Sequence, residues 1–361
     1  EITLMQYLKS NGYTTKGGGK IFHGNNRPGD SLSWDYYFIS KGHTRKSGRD
    51  SNLPNVSTQS GFFNWGPIDV PDDQMQDVRT VNWAKAELGK THNKPFFLAC
   101  GFYRPHLPWY VPKKYFDQFP LDQIMLPEVK SDDLDDLPEY GKRFARERYS
   151  GSWGTDLNKG ERDHDLVIKY DQWKKGVQAY LASISFVDTY VGELLDGLDK
   201  SKYADNTIIV LWGDHGWHLG EKQHWRKQAL WEDTTHVPFI VSYPKKIAEN
   251  SICEYPVSFI DIFPTLIDLT GIPKKEDLDG KSLKELLMNP SMNWNRPVLS
   301  TYGKGNHAVR SGKWRYIQYR DGSSELYDHQ NDPNEWYNLS DKEESQEVIK
   351  RLKKLIPVKE K

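Results

Sequence analysis

An acidic residue and a histidine stand side by side at Asp214 and His215, directly after the apolar run at residues 206–212. The run predicts a buried strand, and the glycines on either side of the pair allow the backbone to turn sharply there. In open α/β sheets, ligands bind at the carboxyl ends of the strands. The pair can therefore hold a divalent cation, and Lys227 follows closely enough to bind an anion beside it.

The same tripeptide, Asp-His-Gly, also occurs in ordinary turns, where the aspartate side chain bonds its own backbone. Taken alone, it leaves both interpretations open. The residues that follow favour a site, because residues 217–221 and 224–227 add imidazole, indole and cationic groups within one short segment.

This segment resembles the second metal-binding motif of the type I sulfatases. It is most similar to the iduronate 2-sulfatase branch, which has Asp-His where many sulfatases have Asp-Asn. Further segments match the family in the expected order along nearly the whole chain, and their order and spacing carry the resemblance. These segments are residues 11–13, 19–23, 95–98, 104–108, 235–238, 261–266, 309–314 and 325–328.

The resemblance implies a role for several charged side chains. Asp214 and His215 are the expected metal ligands, and the implied metal is Ca²⁺. Lys20 and Lys227 are expected to contact the sulfate group, since a lysine is a compact charge with three hydrogen-bond donors. On base rates each lysine alone is more often a surface residue, so that alternative stays open from the residues themselves.

Two histidines match positions near the reacting atoms. His106 is expected to act as the general acid toward the leaving group, and His23 to assist the gem-diol of the nucleophile, because histidine titrates near neutral pH. A hydrogen-bonded loop histidine is the alternative for both. Six further side chains are expected to bind substrate. The arginines among them would form paired hydrogen bonds with a carboxylate or a second sulfate. They are Trp217, His218, Arg104, Trp109, His224 and Arg226.

Apolar strands that alternate with helices predict an α/β layer structure. Helices are predicted over residues 3–10, 72–88, 171–198, 258–269 and 344–355, and strands over 95–101, 206–212 and 237–242. The stretch 27–69 is predicted to form long loops, and four short segments after residue 292 predict a small antiparallel sheet.

The resemblance implies an alkaline-phosphatase-like three-layer α/β/α sandwich with a smaller C-terminal α+β subdomain. The expected domains are residues 1–291, the catalytic α/β domain, and residues 292–361, which hold the small antiparallel sheet and a final helix.

The composition argues against two classes of partner. The formal net charge of −1 argues against nucleic acid, whose binding proteins usually carry a basic excess. No run of about 18 apolar residues occurs, so no membrane span is expected. Aromatic residues make up 13% of the chain, which fits either core packing or stacking on carbohydrate.

The family's nucleophile motif, Cys/Ser-x-Pro-x-Arg, has no counterpart in this sequence. Cys100 lacks the required proline, and the segment from Ser242 ends in lysine. We therefore expect an upstream segment or a partner chain to supply the first strand, two aspartate ligands and the residue that becomes formylglycine. The family also implies export to the periplasm, the extracellular space or the lysosome.

The expected function is hydrolysis of O-sulfate esters of a sulfated sugar or polysaccharide. A phosphatase or phosphodiesterase of the same superfamily is the first alternative, although Lys20 and Lys227 favour sulfate. A non-catalytic fragment that binds glycans is the second alternative, and the missing nucleophile supports it.

Overall fold

The structure of the protein is a computed structural model that describes residues 2–23, 30–40, 63–146 and 162–357. It divides into two compact units. The first unit comprises residues 1–126 and 166–207, and the second comprises residues 127–165 and 208–361. The predicted domain boundary near residue 292 falls inside the second unit and stays a prediction.

The elements are numbered along the chain. The strands are β1 (Thr14–Gly19), β2 (Tyr36–Phe38), β3 (Trp65–Ile68), β4 (Phe96–Gly101), β5 (Trp109–Pro112), β6 (Ile209–Trp212), β7 (Phe239–Ser242), β8 (Val298–Thr301), β9 (His307–Ser311), β10 (Trp314–Gln318) and β11 (Ser324–Asp328). The α-helices are α1 (Leu4–Ser10), α2 (Gln76–Leu88), α3 (Lys113–Phe116), α4 (Glu139–Ala145), α5 (Asp163–Lys169), α6 (Trp173–Asp199), α7 (Glu232–Thr235), α8 (Ile262–Thr270), α9 (Lys284–Met288) and α10 (Gln346–Lys353).

The first unit contains a parallel sheet in the order β2-β1-β4 and a parallel pair, β3-β5. Helices α2 and α6 pack against each other in this unit. Pairing of β1 with β4 runs to Gly19 opposite Gly101, so both strands end at the same edge of the sheet. Lys20 and the segment after Gly101, which leads to His106, therefore leave the sheet together.

Strand β1 contains three glycines, a residue that is usually depleted in strands. The structure shows why they are needed. A Cβ atom at Gly17 would lie 2.8 Å from the Trp34 ring, and one at Gly18 would lie 2.7 Å from the Trp83 ring. Because neighbouring residues of a strand point to opposite faces, an indole covers each face of β1.

The prediction of loops over residues 27–69 is wrong where β2 and β3 form. Both strands are only three or four residues long, and their partners, β1 and β5, lie outside that stretch of sequence. Local composition therefore gives little signal for them. Residues 27–29 and 41–62 of the stretch lie outside the described residues.

The second unit contains an antiparallel pair, β6-β7, and an antiparallel sheet in the order β11-β10-β9-β8. The four-stranded sheet confirms the one predicted after residue 292. Strand β6 is less buried than predicted, with Trp212 46% exposed, because β7 is its one neighbour among the described strands. The predicted helices also form, each within a few residues of the expected ends.

In the described part of the chain, no helix combines the length and the apolar character that crossing a membrane requires.

The C-terminal sheet and α10 share one apolar cluster, in which Leu326 and Leu352 are fully buried. We expect Leu326→Ala to lower the free energy of unfolding by about 2–5 kcal/mol, through lost burial and the cavity left behind. Leu299→Ala on β8 is the control, because Leu299 is 38% exposed and its truncation should cost far less. Urea unfolding followed by tryptophan fluorescence measures both, and equal losses would contradict the prediction.

Candidate functional site

The turn after β1 places Lys20 at the edge of the first sheet. Gly19 has a φ of +78°, and a Cβ atom there would lie 2.0 Å from the carbonyl oxygen of Gly101. Only glycine allows this approach, which lets the Lys20 amide donate to that same oxygen at 2.9 Å. The half-buried Lys20 side chain then passes over Tyr103, with Nζ 5.8 Å from the ring centroid.

The segment after β4 is fixed by a buried carboxylate and a buried guanidinium. The amides of Tyr103 and Arg104 donate to the carboxylate of Asp77 at 2.8 and 3.1 Å. The Arg104 side chain is 3% exposed and donates to the carbonyl oxygens of Tyr110 at 3.0 Å and His106 at 3.3 Å. Arg104 thus binds the backbone on both sides of the bend that carries His106.

The ring of His106 is half-buried, and its Nδ1 lies 2.6 Å from the carbonyl oxygen of Leu107. A carbonyl oxygen only accepts hydrogen bonds, so Nδ1 is the protonated nitrogen. This leaves Nε2 as the nitrogen that can take up or release a proton. The geometry therefore suits the proton transfer predicted for this residue.

Two other predicted site residues of the first unit differ sharply in exposure. Trp109 is fully buried, with its ring stacked 5.5 Å from Trp65 and its Nε1 donating to the Pro105 carbonyl oxygen at 2.7 Å. Its contacts are those of a core residue that supports the His106 bend. His23 is exposed. Substrate binding by Trp109 and a catalytic role for His23 remain predictions.

In the second unit, the loop after β6 brings Asp214, His215 and Lys227 together. His215 Nε2 lies 2.9 Å from Lys227 Nζ and 3.6 Å from Asp214 Oδ2. His215 Nδ1 lies 2.8 Å from the carbonyl oxygen of Gly216, so this imidazole also has its proton on Nδ1 and a lone pair on Nε2. The Asp214 side chain is 67% exposed, which leaves its carboxylate accessible.

Backbone hydrogen bonds attach the loop at residues 213–217 to the segment at residues 233–234. The Gly216 amide donates to Thr234 at 2.9 Å, and the Trp217 amide donates to Asp233 at 2.8 Å. A Cβ atom at Gly216 would lie 1.9 Å from the Asp233 carbonyl oxygen, so the contact requires glycine. The half-buried Trp217 ring lies 6.3 Å from the His215 ring.

Three predicted substrate-binding residues of the second unit are buried. His218 and His224 are 0% and 1% exposed, with ring centroids 5.2 Å apart, and burial lowers the pKa of both. They are therefore neutral near pH 7. Arg226 is 5% exposed and donates from Nε to the buried carboxylate of Asp163 at 2.6 Å. Direct substrate contacts by these three residues remain predictions.

A charged cluster that sequence reasoning missed lies in the same unit. Ligand atoms of Glu232, His329 and Glu335 lie within 4.8 Å of one another, a spacing that a metal ion could bridge. The cluster already contains its own cations, however. Arg315 pairs with both glutamates, at 2.7 Å from Nε to Glu335, and Arg310 lies 3.5 Å from Glu232. The arrangement is that of a buried ion-pair network.

The network anchors the segment that supports the 213–217 loop. The Glu232 amide donates to the Glu335 carboxylate at 2.9 Å, and Arg315 donates to the Leu230 carbonyl oxygen at 2.9 Å. The indole of Trp231 donates to Glu325 at 2.8 Å. Three successive residues just before Asp233 are thus bound to side chains of the C-terminal sheet and its following turn. No local motif signals this, because the partners are more than 80 residues apart in the sequence.

Comparison with known proteins places the chain in a family. The Sulfatase family profile matches residues 1–272, and a second profile, N-sulphoglucosamine sulphohydrolase, C-terminal, matches residues 220–361. The chain belongs to the sulfatase family. The family recognised from the motifs in the sequence is therefore confirmed.

Relatives of this sulfatase chain include bacterial and human proteins. A sulfatase from Formosa agariphila is 38% identical over 99% of the chain and 69% of its own length. Iduronate 2-sulfatase from Homo sapiens is 33% identical over 75% of the chain and 54% of its own length. The alignment with the human enzyme thus spans about half of that protein.

Solved structures confirm the alkaline-phosphatase-like α/β fold expected for a sulfatase. One neighbour, in complex with its substrate D-glucosamine-2-N,6-O-disulfate, matches with a TM-score of 0.72 at 21% identity, over 98% of this chain and 81% of its own. A 2-O glycosaminoglycan sulfatase matches with a TM-score of 0.68 at 20% identity, over 98% and 73%. At these identities the likeness shows the fold alone.

The buried network gives the stability of this sulfatase a defined pH dependence. Burial alone would raise the pKa of Glu335, but Arg315 and His329 outweigh it and lower the pKa from 4.5 to about 2. A carboxylate with a depressed pKa stabilises the fold above its unfolded value and loses that contribution as the pH falls toward the folded value. We expect Glu335→Gln to cost ~3 kcal/mol at pH 7, with the loss shrinking between about pH 4.5 and pH 2.

Urea unfolding at pH 7, 4 and 2.5 measures this loss. Glu347→Gln is the control, because Glu347 lies on α10 with its side chain 88% exposed, and the substitution should have little effect at any pH. A cost of Glu335→Gln that stays constant across the three pH values would contradict the assignment.

Proposed function

We propose that this chain carries part of a sulfatase active site that hydrolyses O-sulfate esters of a sulfated sugar or polysaccharide. The observation that carries the proposal is the meeting of Asp214, His215 and Lys227 in one loop of a chain of the sulfatase family. An acidic ligand, an imidazole and an ammonium group within a few ångströms suit a cation with a small tetrahedral anion beside it. The relatives include iduronate 2-sulfatase, which supports a sulfated saccharide as substrate.

Asp214 and His215 are the proposed ligands of one divalent cation, with Ca²⁺ as the proposed metal. Their donor types fit this role, because the Asp214 carboxylate is accessible and the Nδ1 bond of His215 leaves a lone pair on Nε2; this lone pair accepts a hydrogen bond from Lys227 at 2.9 Å, which a bound cation would replace. Ca²⁺ takes six to eight ligands, mostly oxygens, so further carboxylates must complete the set. When bound, the cation would supply positive charge that activates the nucleophile and stabilises the developing oxyanion.

The proposed catalytic roles are those that the resemblance to the sulfatase family implies for each group. Lys20 and Lys227 bind the sulfate oxygens and stabilise the negative charge that builds there in the transition state. His106 donates a proton from Nε2 to the leaving oxygen while the Leu107 carbonyl holds its Nδ1 proton. His23 assists the gem-diol of the nucleophile.

The proposed substrate-binding residues fall into two groups. Trp217 lies beside His215 and is half-buried, which suits contact with a sugar ring. The others are buried, and we propose that each supports the candidate site residues of its own unit from behind the surface; they are Arg104, Trp109, His218, His224 and Arg226.

We further propose that an upstream segment or a partner chain supplies the first strand, two aspartate ligands and the formylglycine nucleophile. Strand β4 supports this, because all six of its residues are only partly buried and its one partner among the described strands is β1. A parallel strand added to its other edge would complete the backbone hydrogen bonds. Export to the periplasm, the extracellular space or the lysosome is the proposed location, by analogy with the family.

Replacing one sulfate-binding lysine tests the proposed reaction. In the protein that includes the upstream segment, we expect Lys227→Ala to lower kcat/KM for a sulfated uronate disaccharide by about 10²–10³-fold, because a donor aimed at transition-state charge is lost. Lys304→Ala is the control, since Lys304 is exposed and lies on the C-terminal sheet's connecting turn. Sulfate release measured by ion chromatography gives both values.

An aryl phosphate is assayed in parallel, because a phosphatase or phosphodiesterase of the same superfamily is the first alternative. Faster hydrolysis of the phosphate than of the sulfate would replace the proposed activity with a phosphatase or phosphodiesterase activity. A wild-type protein that binds the saccharide and releases no sulfate would favour the glycan-binding alternative.

Removal of the metal tests the proposed ligands. We expect a chelator to abolish activity and added Ca²⁺ to restore it in the wild type, whereas Asp214→Asn should need a higher Ca²⁺ concentration because one charged ligand oxygen is lost. Elemental analysis of the purified protein identifies the metal. Full activity after complete removal of divalent ions would contradict the metal role of Asp214 and His215.

A further inference from the structure

A buried carboxylate stands at the start of α2, where the first unit holds the bend that carries His106. Asp77 is the second residue of this helix and is 2% exposed. A negative charge is favoured in the first turn of a helix by the helix dipole. Burial raises the pKa of Asp77 above its usual value, although the nearby positive charges of Arg104 and Lys20 act in the opposite direction.

Both oxygens of this carboxylate accept backbone hydrogen bonds. Oδ1 accepts from the Tyr103 amide at 2.8 Å, and Oδ2 accepts from the Arg104 amide at 3.1 Å. Two adjacent amides on one carboxylate fix the position and the orientation of that peptide segment. Arg104 in turn restricts the position of His106, because its guanidinium donates to the carbonyl oxygen of His106 at 3.3 Å.

We propose that Asp77 is a positioning residue that holds His106 in place to protonate the leaving oxygen of the sulfate ester. This inference rests on the proposed function. Asp77 acts through the peptide at residues 103–104 and the side chain of Arg104, without touching the substrate.

The role requires a carboxylate, because an amide cannot reproduce it. Asparagine at this position has one acceptor oxygen, while its NH₂ group would face the second backbone N–H, donor against donor. One of the two amides would lose its partner in a buried setting, and the bend would shift. A misplacement of about 1 Å in a catalytic group can cost about 10²-fold in rate.

The test compares two substrates that differ in their need for an acid. An alkyl sulfate on a sugar must receive a proton as its alcohol leaves, whereas 4-nitrophenyl sulfate leaves as a stable phenolate. We expect Asp77→Asn to lower kcat on the sugar sulfate by about 10²-fold and kcat on 4-nitrophenyl sulfate by less than about threefold. His106→Gln should show the same selective loss.

Asp72→Asn is the matched control. Asp72 lies five residues earlier in the chain and accepts hydrogen bonds from the hydroxyl groups of Tyr115 and Tyr190, away from the His106 bend. Its substitution should leave the ratio of the two kcat values unchanged. If Asp77→Asn does not fold by circular dichroism, the same ratio is measured on Asp77→Glu, which keeps both acceptor oxygens but displaces them by one methylene.

Equal losses on both substrates, or no loss on either, would overturn the role of Asp77 while wild-type activity still supports the proposed function. A wild-type protein that includes the upstream segment and still hydrolyses neither substrate contradicts the proposed function itself. The two failures are therefore distinguishable.

Discussion

Backbone amides held by acceptors from other segments of the chain are the constraint on which both groups of candidate site residues depend. In the first unit the acceptor is the Asp77 carboxylate, which takes the amides of residues 103 and 104. In the second unit the acceptors are the carbonyl oxygens of Asp233 and Thr234, and the Glu335 carboxylate takes the amide just before them. Loops carry the candidate site residues, and these hydrogen bonds reduce the freedom that loops otherwise have.

The two histidines proposed for proton transfer and metal binding are oriented in the same way. His106 and His215 each place Nδ1 against the carbonyl oxygen of the following residue, at 2.6 and 2.8 Å. One fixed bond thus selects the tautomer and leaves the lone pair on the second nitrogen. His218 and His224 differ, because both are buried and burial lowers their pKa, which keeps them neutral.

Much of this protein could be predicted from its sequence, and the reasons for the exceptions are physical. The long helix α6, the C-terminal sheet and the Asp214–His215 turn have strong local signals in periodicity, strand alternation and residue type. Strands β2 and β3 do not, since they are short and their partners are distant. The burial of Trp109 and Arg226 and the network around Glu335 depend on contacts across the fold, which a motif cannot report.

The glycines of β1 have a consequence for how this chain can change. Trp34 and Trp83 occupy the space that side chains at Gly17 and Gly18 would need. A larger residue at either glycine is compatible with the fold only if the opposing indole becomes smaller at the same time. The free-energy effects of such paired substitutions would be strongly non-additive, so this strand and its two indoles can vary only as a group.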